Sequence, residues 1–154
     1  MTLAKLIASA VLGLGLSMPL MAGSALSQEL IAKAAKEVKS ITSKELAKMI
    51  ENEDDVWMLD IREPYMIPEG SIEGMENVAI ARGLLEFDLP SEIKGKNAFI
   101  VVYCRSGKGA ALATKTIQND LHYTNVHYLV GGLDSWLEEG TSIFSHLGEL
   151  KLAK

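Results

Sequence analysis

The chain has 154 residues, 48% of them hydrophobic and 23% charged, with a formal net charge of −5 and a single cysteine. This length suits one globular domain, and the balanced composition excludes a disordered or low-complexity chain. The acidic balance without a lysine- or arginine-rich run excludes an electrostatic nucleic-acid interface, and one cysteine excludes an internal disulfide or a multi-cysteine metal centre. No other residue pattern suggests a metal site.

In chain order, residues 1–25 hold one charge, Lys5, then an apolar stretch from Leu6 to Met21 that ends in Ala22-Gly23-Ser24-Ala25. This is the pattern of a cleaved signal peptide, with the cut expected after Ser24, Ala25 or Ser27. An apolar stretch shorter than the ~20 residues of a membrane span, and carrying Pro19, favours cleavage over a stable span. The expected location is therefore periplasmic or otherwise exported. Loss of Lys5 leaves 14 basic and 20 acidic side chains, a net charge of −6.

Residues 26–40 form an expected N-terminal helical segment, with Leu30, Ile31, Ala34, Ala35 and Val38 at helical spacing between Glu29 and Lys39. Thr42-Ser43-Lys44-Glu45 fits a capping box opening a second helix, with Leu46, Met49 and Ile50 on its buried face. The acidic run Glu51 to Asp55 reads as a solvated loop and not a cation site. Val56 to Ile61 and Ala98 to Tyr103 have the apolar character of buried strands, and Val126 to Val130 is another. Val78 to Ile80 predicts a short strand and Gly83 to Phe87 a short helix. Ala110, Ala113, Ile117 and Leu121 share a helix face, and Leu133 to Glu138 is a last short helix. Strands alternating with helices predict an α/β fold, a mostly parallel central sheet with helices on both faces. The expected domain covers 41–141, and 142–154 is left as a C-terminal tail without clear pattern.

Cys104 lies at the carboxyl end of the strongest strand, where ligands of parallel sheets bind. The Arg105-Ser106-Gly107-Lys108-Gly109 turn that follows can aim backbone N–H groups at one point, and the next helix adds partial positive charge. Arg105 and Lys108 contribute cations. Such surroundings favour a thiolate and hold an anion beside the sulfur, whereas they suit a buried structural cysteine poorly. Protease chemistry needs a partnered histidine, and nothing marks His122, His127 or His146 as a base. Dithiol exchange needs a second cysteine. A cysteine phosphatase places arginine six positions after its cysteine, where this chain has Ala110.

Residues from about 40 to 140 resemble a single rhodanese-like (sulfurtransferase) domain. The resemblance rests on Ile41-Thr42-Ser43-Lys44-Glu45-Leu46, Leu59-Asp60-Ile61-Arg62-Glu63, and Gly70-Ser71-Ile72-Glu73-Gly74 with Asn77. It continues in Arg82-Gly83-Leu84-Leu85-Glu86-Phe87, Val102-Tyr103-Cys104-Arg105-Ser106-Gly107 and Gly131-Gly132-Leu133-Asp134-Ser135-Trp136. It implies that Cys104 takes a sulfane sulfur from thiosulfate or polysulfide as a persulfide and passes it to a thiol, cyanide or sulfite. It also implies a six-residue loop, Cys104 to Gly109, sized for sulfur, with no cofactor beyond the covalent persulfide. Asp60 and Arg62 match positions near the family's site. Asp60 is expected to bond loop amides, and Arg62 to contact an anion or form a salt bridge. Two departures stand out: many members carry arginine or serine at Gly109 and histidine at Ser71. The first leaves anion affinity to Arg105 and Lys108. The implied partners are small sulfur anions and, for a persulfide carrier with little turnover alone, an acceptor protein. The unpaired thiol also allows a disulfide-linked homodimer.

Overall fold

A computed structural model describes residues 22–152. Most of the expected leader, residues 1–21, lies outside the described residues. No described helix is long and apolar enough to cross a membrane. Helix α1 (Ala22–Glu37) starts earlier than its apolar spacing predicts and stops two residues sooner, because Lys39–Ile41 pairs into the sheet as strand β1. Helix α2 (Ser43–Glu51) opens on the expected capping box, Thr42 accepting from the Glu45 amide and Glu45 accepting from the Thr42 amide. Strand β2 (Trp57–Asp60), a 3-10 helix (Pro64–Glu69), and strand β3 (Glu76–Ala79) follow. A 3-10 turn (Arg82–Leu84) leads into helix α3 (Leu85–Glu92), then strand β4 (Ile100–Tyr103), helix α4 (Lys108–Asn119) and strand β5 (Val126–Leu129). Helix α5 (Gly132–Glu138) precedes a hairpin of β6 (Ile143–Ser145) and β7 (Gly148–Leu150).

The first five strands form one parallel sheet in the order β1-β5-β4-β2-β3. Side chains alternate across it with the two-residue period of a strand. Ile100 and Val102 of β4 face α3 and α4, meeting Leu85, Leu89, Ala113 and Ile117. Val101 and Tyr103 face the opposite layer of Leu46, Leu133 and Trp136, from α2 and α5. Both faces are therefore covered, as the near-continuous apolar run of β4 requires. Helix α1 lies against α4, where Glu37 pairs with Lys115.

The connections fix where a ligand can enter. From β2 the chain goes outward to β3, whereas from β4 it goes the other way to β5. Beyond the carboxyl ends of β2 and β4 the connections therefore part and leave a crevice. Asp60 ends β2 and Cys104 follows β4 at that crevice, with Asp60 opposite Tyr103 in register.

Candidate active site

Every residue of β4 is buried, and Cys104, the first to leave it, is half-buried. Gly107 turns the chain with φ 76° and caps α4, which begins at Lys108. Lys108 and Gly109 thus form the first turn of α4. A Cβ on Gly109 would stand 3.6 Å from Sγ, so the missing side chain leaves the sulfur open on that side. The turn's acceptors and donors are divided. The carbonyls of Cys104 and Arg105 accept from the amides of Leu133 and Asp134 at the start of α5, both at 3.0 Å. Among the described residues, the amides from Ser106 to Ala110 donate to no other group. The sulfur therefore sits beside unsatisfied N–H groups at the positive end of a helix, an arrangement able to hold an anion.

This division needs the Gly131-Gly132 pair. Gly132 has φ +59°, and a Cβ there would lie 2.3 Å from the Cys104 carbonyl oxygen and 2.6 Å from the Gly107 nitrogen. Only glycine allows so close an approach of two backbones.

The two cations of the loop differ. Arg105 donates Nη1 to Glu69 at 2.9 Å and Nε to Asp134 at 2.7 Å, so its guanidinium is held between two carboxylates. Lys108 is exposed and has no ion pair among the described residues. The expectation that both serve anion affinity meets a difference here, because partners 36 and 29 residues away in sequence occupy Arg105.

Asp60 and Arg62 are both buried and form a salt bridge, Nη2 to Oδ2 at 2.6 Å. Asp60 also accepts from the Arg62 amide, and Arg62 donates to the carbonyls of Met66 and Gly70. Of the two readings for Arg62, the geometry shows the salt bridge; Asp60 accepts from the Arg62 amide and guanidinium, and no amide of the Cys104 turn donates to it among the described residues. Ser71 Oγ lies 3.4 Å from both partners. The Tyr103 hydroxyl accepts from the Ile72 amide. Burial, aided by nearby Asp60, pushes the Tyr103 phenol well above its ordinary value. An adjoining cavity of about 200 Å³, lined by Asp60, Glu73 and Tyr103 among others, presents carboxylates and suits an anion poorly.

The remaining residues fall as their types suggest. Trp136 is buried, Trp57 packs on the core, and Asn77 closes a turn onto Gly74. His122 and His146 are exposed and His127 lies in β5. Sequence reasoning missed Glu69 and Asp134, since no local pattern ties either to Arg105.

A family model for the rhodanese-like domain matches residues 42–139. The chain belongs to the rhodanese-like family. A sulfurtransferase of Allochromatium vinosum is 31% identical over 111 residues, which cover 72% of this rhodanese-like chain and 99% of the relative. Among solved structures, a protein of unknown function and possible tyrosine phosphatase from Rhodopseudomonas palustris is 28% identical. It covers 76% of this chain and 92% of its own, with a TM-score of 0.66. The homodimeric polysulfide-sulfur transferase of Wolinella succinogenes, 24% identical, covers 84% and 90% with a TM-score of 0.66 and shares the fold.

Proposed function

We propose that this rhodanese-like protein is a sulfurtransferase that carries sulfane sulfur as a persulfide on Cys104. One observation carries the reading: the half-buried Cys104 adjoins a row of unsatisfied amides, with no side chain at Gly109 to cover Sγ. The sulfurtransferase relative, matched over nearly its whole length, supports it.

In the first step the Cys104 thiolate attacks the outer sulfur of the donor. A new S–S bond forms, the donor's S–S bond breaks, and the departing group takes the electron pair: sulfite from thiosulfate, or a polysulfide shorter by one atom. The terminal sulfur of the persulfide anion lies where the loop amides can stabilise it. A nucleophilic acceptor then attacks that sulfur and releases the Cys104 thiolate. No proton is abstracted from carbon or water, so the scheme requires no histidine base and no cofactor. Phosphatase chemistry fits less well. The position six after Cys104 is the buried Ala110, and Arg62 and Arg105 are both engaged by carboxylates. The leader-like residues 1–25 support an exported location, in which a small sulfur anion reaches the site directly.

The test is thiocyanate formation from thiosulfate or polysulfide with cyanide as acceptor. The wild-type protein is expected to turn over and Cys104→Ser to fall to background. Turnover that survives in Cys104→Ser overturns the mechanism. A persulfide that forms on Cys104 but passes on only to an added protein identifies a carrier instead.

A further inference from the structure

We infer that Glu69 and Asp134 select the sulfur donor, by keeping Arg105 from the sulfur and so disfavouring thiosulfate against donors without a sulfonate head. The inference rests on the persulfide chemistry proposed above and adds the donor class to it.

Thiosulfate presents a compact sulfonate behind the sulfur that is transferred. The side chain best shaped for such an oxyanion is a guanidinium, whose planar fork donates to two oxygens at once. The chain has three arginines, and each is engaged. Arg62 is buried against Asp60 and two carbonyls. Arg82 is bonded to Glu86 and Thr116. Arg105 adjoins the nucleophile and is the one placed to serve, but it gives Nη1 to Glu69 and Nε to Asp134. Lys108 and the loop amides remain, a single point charge and a set of N–H groups. They can hold the terminal sulfur of a polysulfide or an organic persulfide, neither of which brings oxyanion oxygens that need a fork. Gly109, with no side chain toward Sγ, leaves room for the sulfur chain.

The pairs are half-exposed, with side-chain exposures of 53% for Arg105, 52% for Glu69 and 47% for Asp134. A single neutralisation can therefore shift selection by only about fivefold at most, the equivalent of the ~1 kcal/mol upper range for exposed pairs.

The experiment follows addition of one sulfur to Cys104 by intact mass after rapid quenching, with thiosulfate or inorganic tetrasulfide as donor and no acceptor present. The wild-type protein is expected to load faster from tetrasulfide. Glu69→Gln and Asp134→Asn are each expected to raise the thiosulfate-to-tetrasulfide rate ratio about two- to fivefold, and the double variant further. Glu86→Gln, which removes the same charge from an exposed pair with Arg82, is expected to leave the ratio unmoved. If the carboxylates only staple the loop, both donors slow together and the ratio stays at its wild-type value, which overturns the inference. Faster loading of the wild-type protein from thiosulfate overturns it as well. Absence of loading from either donor instead removes the sulfurtransferase reading on which it stands.

Discussion

His127 sits in β5 with its ring stacked on Phe99, centroids 4.5 Å apart and planes 13° from parallel. Its Nδ1 is buried without a hydrogen-bond partner, so a charge on the ring would lack compensation. Burial, and then the nearby Lys39, hold its pKa below the ordinary 6.5. Below pH 6.5 the unfolded chain therefore binds a proton that the folded chain refuses, and stability falls as pH falls through that range. Glu37, Glu45 and Glu149 act in a separate window. Hydrogen bonds from Lys115, Thr42 and Ser142 hold them below 4.5, so their contribution is present above that value and lost only further down. Denaturant unfolding at a series of pH values is expected to show a decline beginning near 6.5 in the wild-type protein. In His127→Phe, which keeps the stack on Phe99 and cannot be protonated, the decline is expected to begin only in the carboxylate range. An unchanged profile would show that His127 does not set it. Its place in a strand is legible in the sequence, from the Val126 to Val130 run. Its burial is not, because the Phe99 ring that stacks on it comes from the edge of another strand.

At the scale of elements, the reactive loop is fixed by its contact with the start of α5 as much as by its own residues. Gly132→Ala places a methyl group 2.3 Å from the Cys104 carbonyl oxygen in a backbone at φ +59°. Backbone atoms must move to admit it, so the loss should exceed the ~1–3 kcal/mol ordinarily attached to strained backbone conformations. The Leu133 and Asp134 amides would then lose the carbonyls they bond, and persulfide formation on Cys104 should fall together with stability. Gly109→Ala is the matched control. Its Cβ meets Sγ at an ordinary contact distance of 3.6 Å, so a folded protein of nearly wild-type stability is expected. Equal stability of the two variants in denaturant melts would refute the role given to Gly132. What the sequence revealed here follows from locality. The β4 run, the capping box at Thr42 and the Cys104 turn are each written in a few adjacent residues. Apolar spacing carries the first helix on to Lys39 and hides β1, because Lys39–Ile41 becomes a strand only by pairing with His127–Leu129. The Arg105 pairs were invisible for the same reason.

For the molecule as a whole, the hairpin β6–β7 changes where the folded unit ends. Residues 142–154 carry no clear pattern, and the family match stops at 139, yet the hairpin closes one layer of the core. Ile143 is buried with Ile72, Leu133 and Trp136, and its Cδ1 lies 2.8 Å from where a Cβ on Gly70 would be. Phe144 exchanges two backbone hydrogen bonds with Ser71, at 2.8 and 2.9 Å. The hairpin thus presses on the Gly70-Ser71 corner, whose carbonyl accepts from Arg62 and whose preceding residue, Glu69, holds Arg105. The turn His146-Leu147 lacks the Asn-Gly or Asp-Gly signal of tight hairpins, which is why the sequence hid it. Ile143→Ala removes a buried aliphatic side chain and is expected to cost about 2–5 kcal/mol in urea unfolding. The effect should also reach the site. Loosening the corner weakens the Glu69 hold on Arg105, so the thiosulfate-to-tetrasulfide loading ratio should rise in the same direction as in Glu69→Gln, though less. A large stability loss with an unmoved ratio would confine the hairpin to a structural role and separate the corner from donor selection.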